Sequence, residues 1–476
     1  MNANLPSPQP SPAGGGGRTS GSLSPVPGGE SPLFPVPGVE SRGKEPGRRL
    51  AIRGDLLDFI GEPAWGAVDS GAVRFRPDHW LLIDDGRIVA SQAADPGPGW
   101  LRHDHTGRLI LPGFIDTHVH MPQLDVIASY GTELLDWLET YTFPAEARYA
   151  DAAHSVAGAD LFLDALLAHG TTSAVVFATA HKVSADALFR AAQQRGMRLV
   201  TGKVLQDRHS PEGLRDDVVQ AREDCLDLIA RWHGVDRLAY AVTVRFAPTS
   251  SPEQLAMAGA LCAADPSLYM QTHVAENRAE VEWARRLFPE ARSYLDVYAR
   301  AGLLHARSVL AHGIWLDDDD RAALRASGAQ IAHSPSSNLF LGSGLFGWRG
   351  MAEAGAEVSL ATDVGGGTSL SMIRTMADAY KVQALAGERL TAWRALHAAT
   401  RGAAEALQLG AEIGTLEPGR TADVCVWEWA ADPVAARRMS VARSLHERVF
   451  AWMTMADDRN LAAAFVAGRA VRTRLA

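Results

Sequence analysis

The chain has 476 residues, 47% of them hydrophobic and 21% charged, with a formal net charge of -9 and a pI near 6.0. That length buries a large core, and one big domain with a smaller companion is the expected organisation. The acidic balance argues against nucleic-acid or anionic-membrane partners, which call for basic patches, and no apolar run approaches the ~20 residues that span a bilayer. Cys225, Cys262 and Cys425 are scattered and odd in number, so no disulfide framework is implied. They also exclude the zinc-deaminase signature that ends in Pro-Cys-x-x-Cys. A reducing cytoplasm is the expected compartment.

Residues 1–48 are mostly Pro, Gly and Ser, with a Gly14-to-Gly17 run and the near-repeats Pro25-Val-Pro-Gly28 and Pro35-Val-Pro-Gly38. Such a segment has too little apolar surface to offset its ordering entropy and is expected to be a disordered tail. It lacks the apolar core of a signal peptide. Short strand-like runs follow: Leu50-Ala-Ile52, Trp80-Leu-Leu-Ile83 and Arg87-Ile-Val-Ala90, the last two joined by the turn Asp84-Asp85-Gly86. The far end has the same texture, in Ala422–Trp427 and Ala463–Val471. Residues 49–110 and 414–476 are therefore expected to form one small β-sandwich domain, with a large domain, residues 111–413, inserted between them.

That middle region alternates strand and helix. The strand candidates are Leu109–Ile115, Thr172–Ala178, Arg198–Leu205, Leu238–Phe246, Leu268–His273, Ser308–His312, Gln330–His333 and Val358–Thr362. Helical patterns lie between most of them, such as Asp151–Ala168, Asp216–Trp232 and Arg278–Leu287. Strands alternating with helices imply parallel pairing, and eight such units imply an α/β fold of the (β/α)₈ TIM-barrel type. Catalytic groups in that fold gather at the carboxyl ends of the strands.

Those ends carry chemistry. The first strand runs into His118 and His120, which project together because alternate strand residues share a face. The fourth ends in Arg245-Phe246, the fifth in His273 followed by Glu276, the sixth in His312, the seventh in His333 and the eighth in Asp363. With only 16 histidines in the chain, this concentration points to a metal centre. His118, His120, His273 and Asp363 leave one position open for water, the mark of a catalytic rather than a structural zinc site. A cation there lowers the water's pKa towards ~7; nitrogen and oxygen ligands suit zinc, and also iron. Glu276 is placed to shuttle protons, or else caps the helix that follows. Asp363 both ligates and holds the attacking water. His312 is a polarising group or a satisfied buried histidine. His333 is left outside the site, and Lys203, within the third strand, is read as structural. In two-metal sites of this barrel type a carbamylated lysine at the end of strand four bridges the ions. Leu238–Phe246 has no lysine, so a single metal is expected.

Pro112-Gly-Phe-Ile-Asp-Thr-His-Val-His-Met-Pro-Gln123 resembles the first-strand motif of the amidohydrolase superfamily and, more narrowly, of its guanine deaminase branch. Leu134–Glu146, Val244-Arg-Phe246, Thr272–Arg278 and Ala361–Gly366 are similar to the same branch, and the likeness runs from about Arg49 to the C-terminus. The histidine pair identifies only the superfamily; the Trp-Leu-x-x-Tyr-Thr-Phe-Pro-Ala-Glu block and the Arg-Phe pair are narrower signals. The resemblance implies hydrolysis of guanine to xanthine and ammonia at one zinc per subunit, in a homodimer. It implies that Gln123 and Arg245 hydrogen-bond the purine and Phe246 packs beside it, with His120, Glu276 and Asp363 also touching substrate. Glu276 would protonate the ring nitrogen beside the reacting carbon. The chain departs from the branch at His333-Ser-Pro-Ser-Ser-Asn338, where a cysteine usually follows the histidine. Two other readings stand beside this one: an aminohydrolase of another purine, pterin or triazine, and a non-catalytic barrel scaffold.

Overall fold

The computed structural model describes residues 49–131 and 133–473; the tail of residues 1–48 lies outside them. Four strands open the chain: β1 (Leu50–Phe59), β2 (Val73–Asp84), β3 (Arg87–Gln92) and β4 (Leu101–Pro112). The barrel strands follow as β5 (Phe114–His120), β6 (Thr171–Phe177), β7 (Arg198–Gly202), β8 (Val204–Leu205), β9 (Leu238–Val244), β10 (Tyr269–Val274), β11 (Ser308–His312), β12 (Gln330–His333) and β13 (Glu357–Leu360). The last three are β14 (Val424–Trp427), β15 (Leu461–Val466) and β16 (Arg469–Thr473).

The barrel strands pair in parallel in the order β5-β6-β7-β9-β10-β11-β12-β13, with β8 prolonging β7 against β9. The ring is drawn together where the Asp363 N–H donates to the His118 carbonyl and the His120 N–H to the Val364 carbonyl, both at 2.9 Å. Asp116 reinforces the seam by accepting from the Thr362 backbone N–H at 3.0 Å and from the Thr362 hydroxyl. Inside, Ile115, Val175, Val200, Ala241, Tyr269, Val309 and Ala332 form one apolar plug. Ala403, Ala404 and Leu407, on and after the helix Arg401–Ala406, join it, and the Tyr269 hydroxyl donates to the Leu407 carbonyl at 2.7 Å.

The expected strand Leu109–Ile115 proves to be two. Leu109–Pro112 ends β4 and pairs with β14, and the barrel strand starts only at Phe114. The crossing is at Gly113, where a Cβ atom would stand 2.1 Å from the Thr172 hydroxyl oxygen. Both halves of the run are buried, so its hydrophobicity carries no sign of the break. The histidine pair consequently lies within the barrel strand instead of beyond it. The single strand expected over Arg198–Leu205 is likewise interrupted at Lys203, whose ammonium turns to Asp216 and to the Val204 carbonyl.

The chain ends build a second sheet in the order β16-β15-β14-β4-β1-β2-β3. It curls over itself, because Ala422 hydrogen-bonds Gly86 at 2.8 Å and Gly468 hydrogen-bonds Ala422 at 2.9 Å. Leu50, Ile52, Leu81, Ile83, Ile110, Val424, Val426 and Phe465 fill the enclosed face. The alternating residues Phe59, Leu111, Trp427 and Val466 face the main core. This is the expected β-sandwich made from both chain ends. The three cysteines are buried and free, and among the described residues no helix is long and apolar enough to cross a membrane.

Candidate active site

His118 and His120 point the same way off β5, and their Nε2 atoms are 3.1 Å apart. His120 Nε2 lies 3.1 Å from His273 Nε2, at the end of β10. Asp363 brings Oδ1 to 3.1 Å from His118 Nε2 and 3.3 Å from His120 Nε2. A tetrahedral zinc with ligand bonds of ~2.0–2.1 Å sets neighbouring donor atoms roughly 3.3 Å apart, and these separations fit that figure. The donor set also fits chemically. Three imidazole nitrogens and a carboxylate oxygen turned towards one point repel one another unless a cation lies among them. His273 is oriented for the task, because its Nδ1 donates to the Arg245 carbonyl at 2.7 Å and leaves Nε2 free. The Phe177 ring backs all three imidazoles at 4.7–5.0 Å.

His312 joins the same cluster: ligating atoms of His118, His273, His312 and Asp363 all lie within 4.8 Å of one another. Two sets of four are therefore conceivable. The tighter contacts belong to the set with His120. His312 Nε2 stands 3.6 Å from the other Asp363 oxygen and 3.3 Å from Glu276 Oε2, on the Glu276 side of the cluster. Its Nδ1 donates to Asn338 Oδ1 at 2.8 Å, which fixes the tautomer and leaves Nε2 facing the two carboxyls.

Electrostatics separate the roles. Burial pushes His120 down to about 3 and His273 well below the ordinary imidazole range, so both are the neutral bases that bind metals. Burial works to raise Asp363, but the charge and hydrogen bond of His118, with His120 and His312, hold it well below the usual carboxylate range. Glu276 goes the other way. Burial, then the Asp363 charge, lift it to about 8, against the pull of a hydrogen bond from Ser343. One carboxyl is thus kept ionised and its neighbour kept protonatable near neutral pH, an arrangement suited to acid–base chemistry.

Glu276 does not cap the helix Arg278–Leu287. Asn277 is the cap residue, and Glu280 closes the capping box. Glu280 Oε2 accepts from the backbone N–H groups of Glu276 and Asn277 at 3.0 and 3.1 Å, and Oε1 accepts from the Tyr294 hydroxyl at 2.6 Å. Left-handed backbone at Ala275, His312 and Asp363, with φ of 48°, 73° and 50°, turns the chain sharply beside these groups. Such conformations cost of order 1–3 kcal/mol each and concentrate at functional sites.

A single cavity over the cluster is lined by His120, Gln123, Arg245, Phe246, His273, Glu276, His312 and Asp363, walled by Leu134, Trp137 and Leu138. Every site residue singled out in the sequence reaches this cavity except His118, which lies beneath it in the histidine cluster. His333 stacks on Phe346 at 4.5 Å, and Lys203 pairs with Asp216; both stay outside the site. Sequence reasoning missed four neighbours: Phe177, Asn338, Ser343 and Glu146. Glu146 ends a segment already singled out for its resemblance and Asn338 the block singled out for its departure, whereas a lone Ser343 carries no signal.

A (β/α)₈ barrel with three imidazoles and an aspartate gathered at the carboxyl ends of its strands defines a class of barrel hydrolases able to hold a catalytic metal. The chain belongs to the amidohydrolase family, whose model matches residues 109–471. It is 41% identical over 429 residues to guanine deaminase of Escherichia coli strain K12, covering 89% of this chain and 98% of that protein. The structure of guanine deaminase from Bradyrhizobium japonicum superposes with a TM-score of 0.87 at 33% identity, covering 90% of this chain and 100% of that one. That of the C. acetobutylicum guanine deaminase with bound guanine superposes at 0.80 and 26% identity, covering 89% of this chain and 99% of that one.

Proposed function

We propose that this chain is a guanine deaminase, hydrolysing guanine to xanthine and ammonia with one zinc ion per subunit. The observation that carries the reading is a single cavity holding three convergent imidazoles, an ionised aspartate, a protonatable glutamate and an Arg–Gln pair suited to a purine edge. His118, His120, His273 and Asp363 would hold the metal, which when bound lowers the pKa of water and supplies a nucleophile at neutral pH.

The chain's own residues do the rest. Gln123 and Arg245 hydrogen-bond the flat ring, and Phe246 packs beside it, so C2 and its amino group face Glu276. Glu276 takes the proton of the attacking water and delivers it to N3, the unprotonated ring nitrogen next to C2. Water oxygen bonds to C2, which becomes tetrahedral. A second proton, passed through Asp363 and Glu276, reaches the amino nitrogen. The C2–N bond then breaks, and ammonia leaves with xanthine as the other product. His312 faces both carboxyls and polarises the oxygen added at C2.

The same reading takes the enzyme to be a cytoplasmic homodimer of purine catabolism, with residues 113–413 as the barrel and residues 49–112 and 414–476 as the β domain; the boundary lies two residues beyond the expected 110/111 because Leu111 and Pro112 pair with β14. The free thiols support the compartment; the strand connections support the division. The deciding experiment follows guanine by loss of its ultraviolet absorbance, with metal analysis of the same sample. A zinc-loaded preparation that releases ammonia from a pterin, a triazine or 8-oxoguanine but not from guanine would overturn the substrate; one that releases none from any would leave a scaffold.

A further inference from the structure

Arg245 and Glu146 form a buried ion pair at the edge of the cavity, 3% and 1% exposed, with Nη1 2.5 Å from Oε2. The other oxygen of Glu146, Oε1, accepts from Gln123 Nε2 at 3.2 Å. At the opposite end of the same amide, Gln123 Oε1 accepts from the Gly365 N–H at 3.1 Å. The amide is locked from both sides. Turned over, it would set an oxygen against the Glu146 carboxylate and an N–H against the N–H of Gly365. The guanidinium has no acceptor atom in any orientation, and one hydrogen of the Gln123 Nε2 group remains after Glu146 takes the other. Phe143, from the Glu146 segment, lies 5.1 Å from the guanidinium and keeps its plane in place.

We infer that Glu146 is a positioning residue that sets the hydrogen-bond polarity of the Gln123–Arg245 wall, so that this wall offers donors and selects a purine carrying an oxo group at C6. The inference rests on the reading that the cavity takes a purine through its C2 side. Guanine presents adjacent O6 and N7 acceptors on one edge; adenine presents a donor and an acceptor there. A wall of donors suits the first and leaves an N–H facing an N–H with the second. Glu146 makes this possible without touching substrate. Its charge balances Arg245 inside the protein, where an unpaired guanidinium is costly, and its two oxygens hold both readers in register.

The test is equilibrium dialysis of the zinc-loaded enzyme with three purines that have no 2-amino group to lose: hypoxanthine (6-oxo), purine (unsubstituted) and adenine (6-amino). The wild type is expected to bind hypoxanthine about tenfold tighter than purine, the scale of one good hydrogen bond, and adenine weakest. Glu146→Gln keeps the shape but turns one acceptor into a donor aimed at either reader. It is expected to cut the preference for hypoxanthine over purine to about threefold or less while purine binding holds; Glu146→Asp, which keeps the charge, lies between. An equal loss of affinity for hypoxanthine and purine in Glu146→Gln would show a role in folding only and overturn the inference. If that variant does not fold, the wild-type order decides, and adenine bound as tightly as hypoxanthine overturns it. A wild type that keeps this ligand order yet releases no ammonia from guanine would sink the deaminase reading and leave the polarity standing. A guanine-hydrolysing wild type whose order Glu146→Gln leaves unchanged would do the reverse.

Discussion

The Ser343 hydroxyl donates a hydrogen bond of 2.9 Å to Oε1 of Glu276, tying the loop after β12 to the carboxyl that follows β10. The bond favours the ionised carboxylate and opposes burial and the Asp363 charge, which together lift Glu276 to about 8. Removing the hydroxyl in Ser343→Ala therefore raises the Glu276 pKa further. In the proposed reaction Glu276 must be ionised to accept the water's proton, so the acid limb of the pH profile of kcat/KM should move to higher pH. An unmoved limb, with only the plateau lowered, would mean that Ser343 merely fills space.

Glu276→Gln keeps the size of the side chain and the Ser343 contact but cannot carry a proton. The metal content should hold while kcat falls by roughly 10²-fold or more, the usual scale for loss of a general acid–base group. A variant that loses zinc in step with activity would reassign Glu276 to metal retention.

His118→Ala and His273→Ala each remove one of the mutually close donor atoms. Both metal and turnover should be lost, read by elemental analysis and ammonia release on the same preparation. Turnover surviving in a metal-free variant would refute the metal centre.

Glu280 is lifted to about 7, by burial first and then by the Glu276 charge, against a hydrogen bond from Tyr294. A carboxyl whose folded pKa is raised holds its proton better folded than unfolded. Its contribution is therefore full below the unfolded pKa of about 4.5 and is lost as pH rises to about 7. Glu280→Gln can still accept from the Glu276 and Asn277 backbone N–H groups, and it does not titrate. Its Tm should fall less than that of the wild type between pH 5 and pH 8, by differential scanning fluorimetry; parallel declines would contradict the assignment.

Arg245→Ala strips the purine wall of its cation and leaves Glu146 charged without its partner. Activity should fall more on guanine than on 2-aminopurine, which lacks the 6-oxo group. Equal losses on the two substrates would remove Arg245 from the reader.

Much of this is legible in the sequence alone. Alternation of strand and helix over most of the middle region, with His118 and His120 separated by one residue, determines the barrel and half of the histidine cluster, because strand periodicity is a local property of the chain. His273, Glu276, His312 and Asp363 were marked by a topological rule alone, that barrel chemistry sits at carboxyl strand ends. The tertiary structure decided what depends on distance across the barrel. The run Leu109–Ile115 divides between two sheets, and because both layers bury it equally its hydrophobicity does not mark the break. Asn277, and not Glu276, caps the helix, with Glu280 closing its capping box; Ser343, 67 residues away, hydrogen-bonds the Glu276 carboxyl, and Asn338 sets the tautomer of His312. Glu146 reaches Arg245 across 99 residues of sequence. Such pairings arise from the closure of the ring and from burial that forces each charge to find a partner, and neither leaves a mark on the local order of residues.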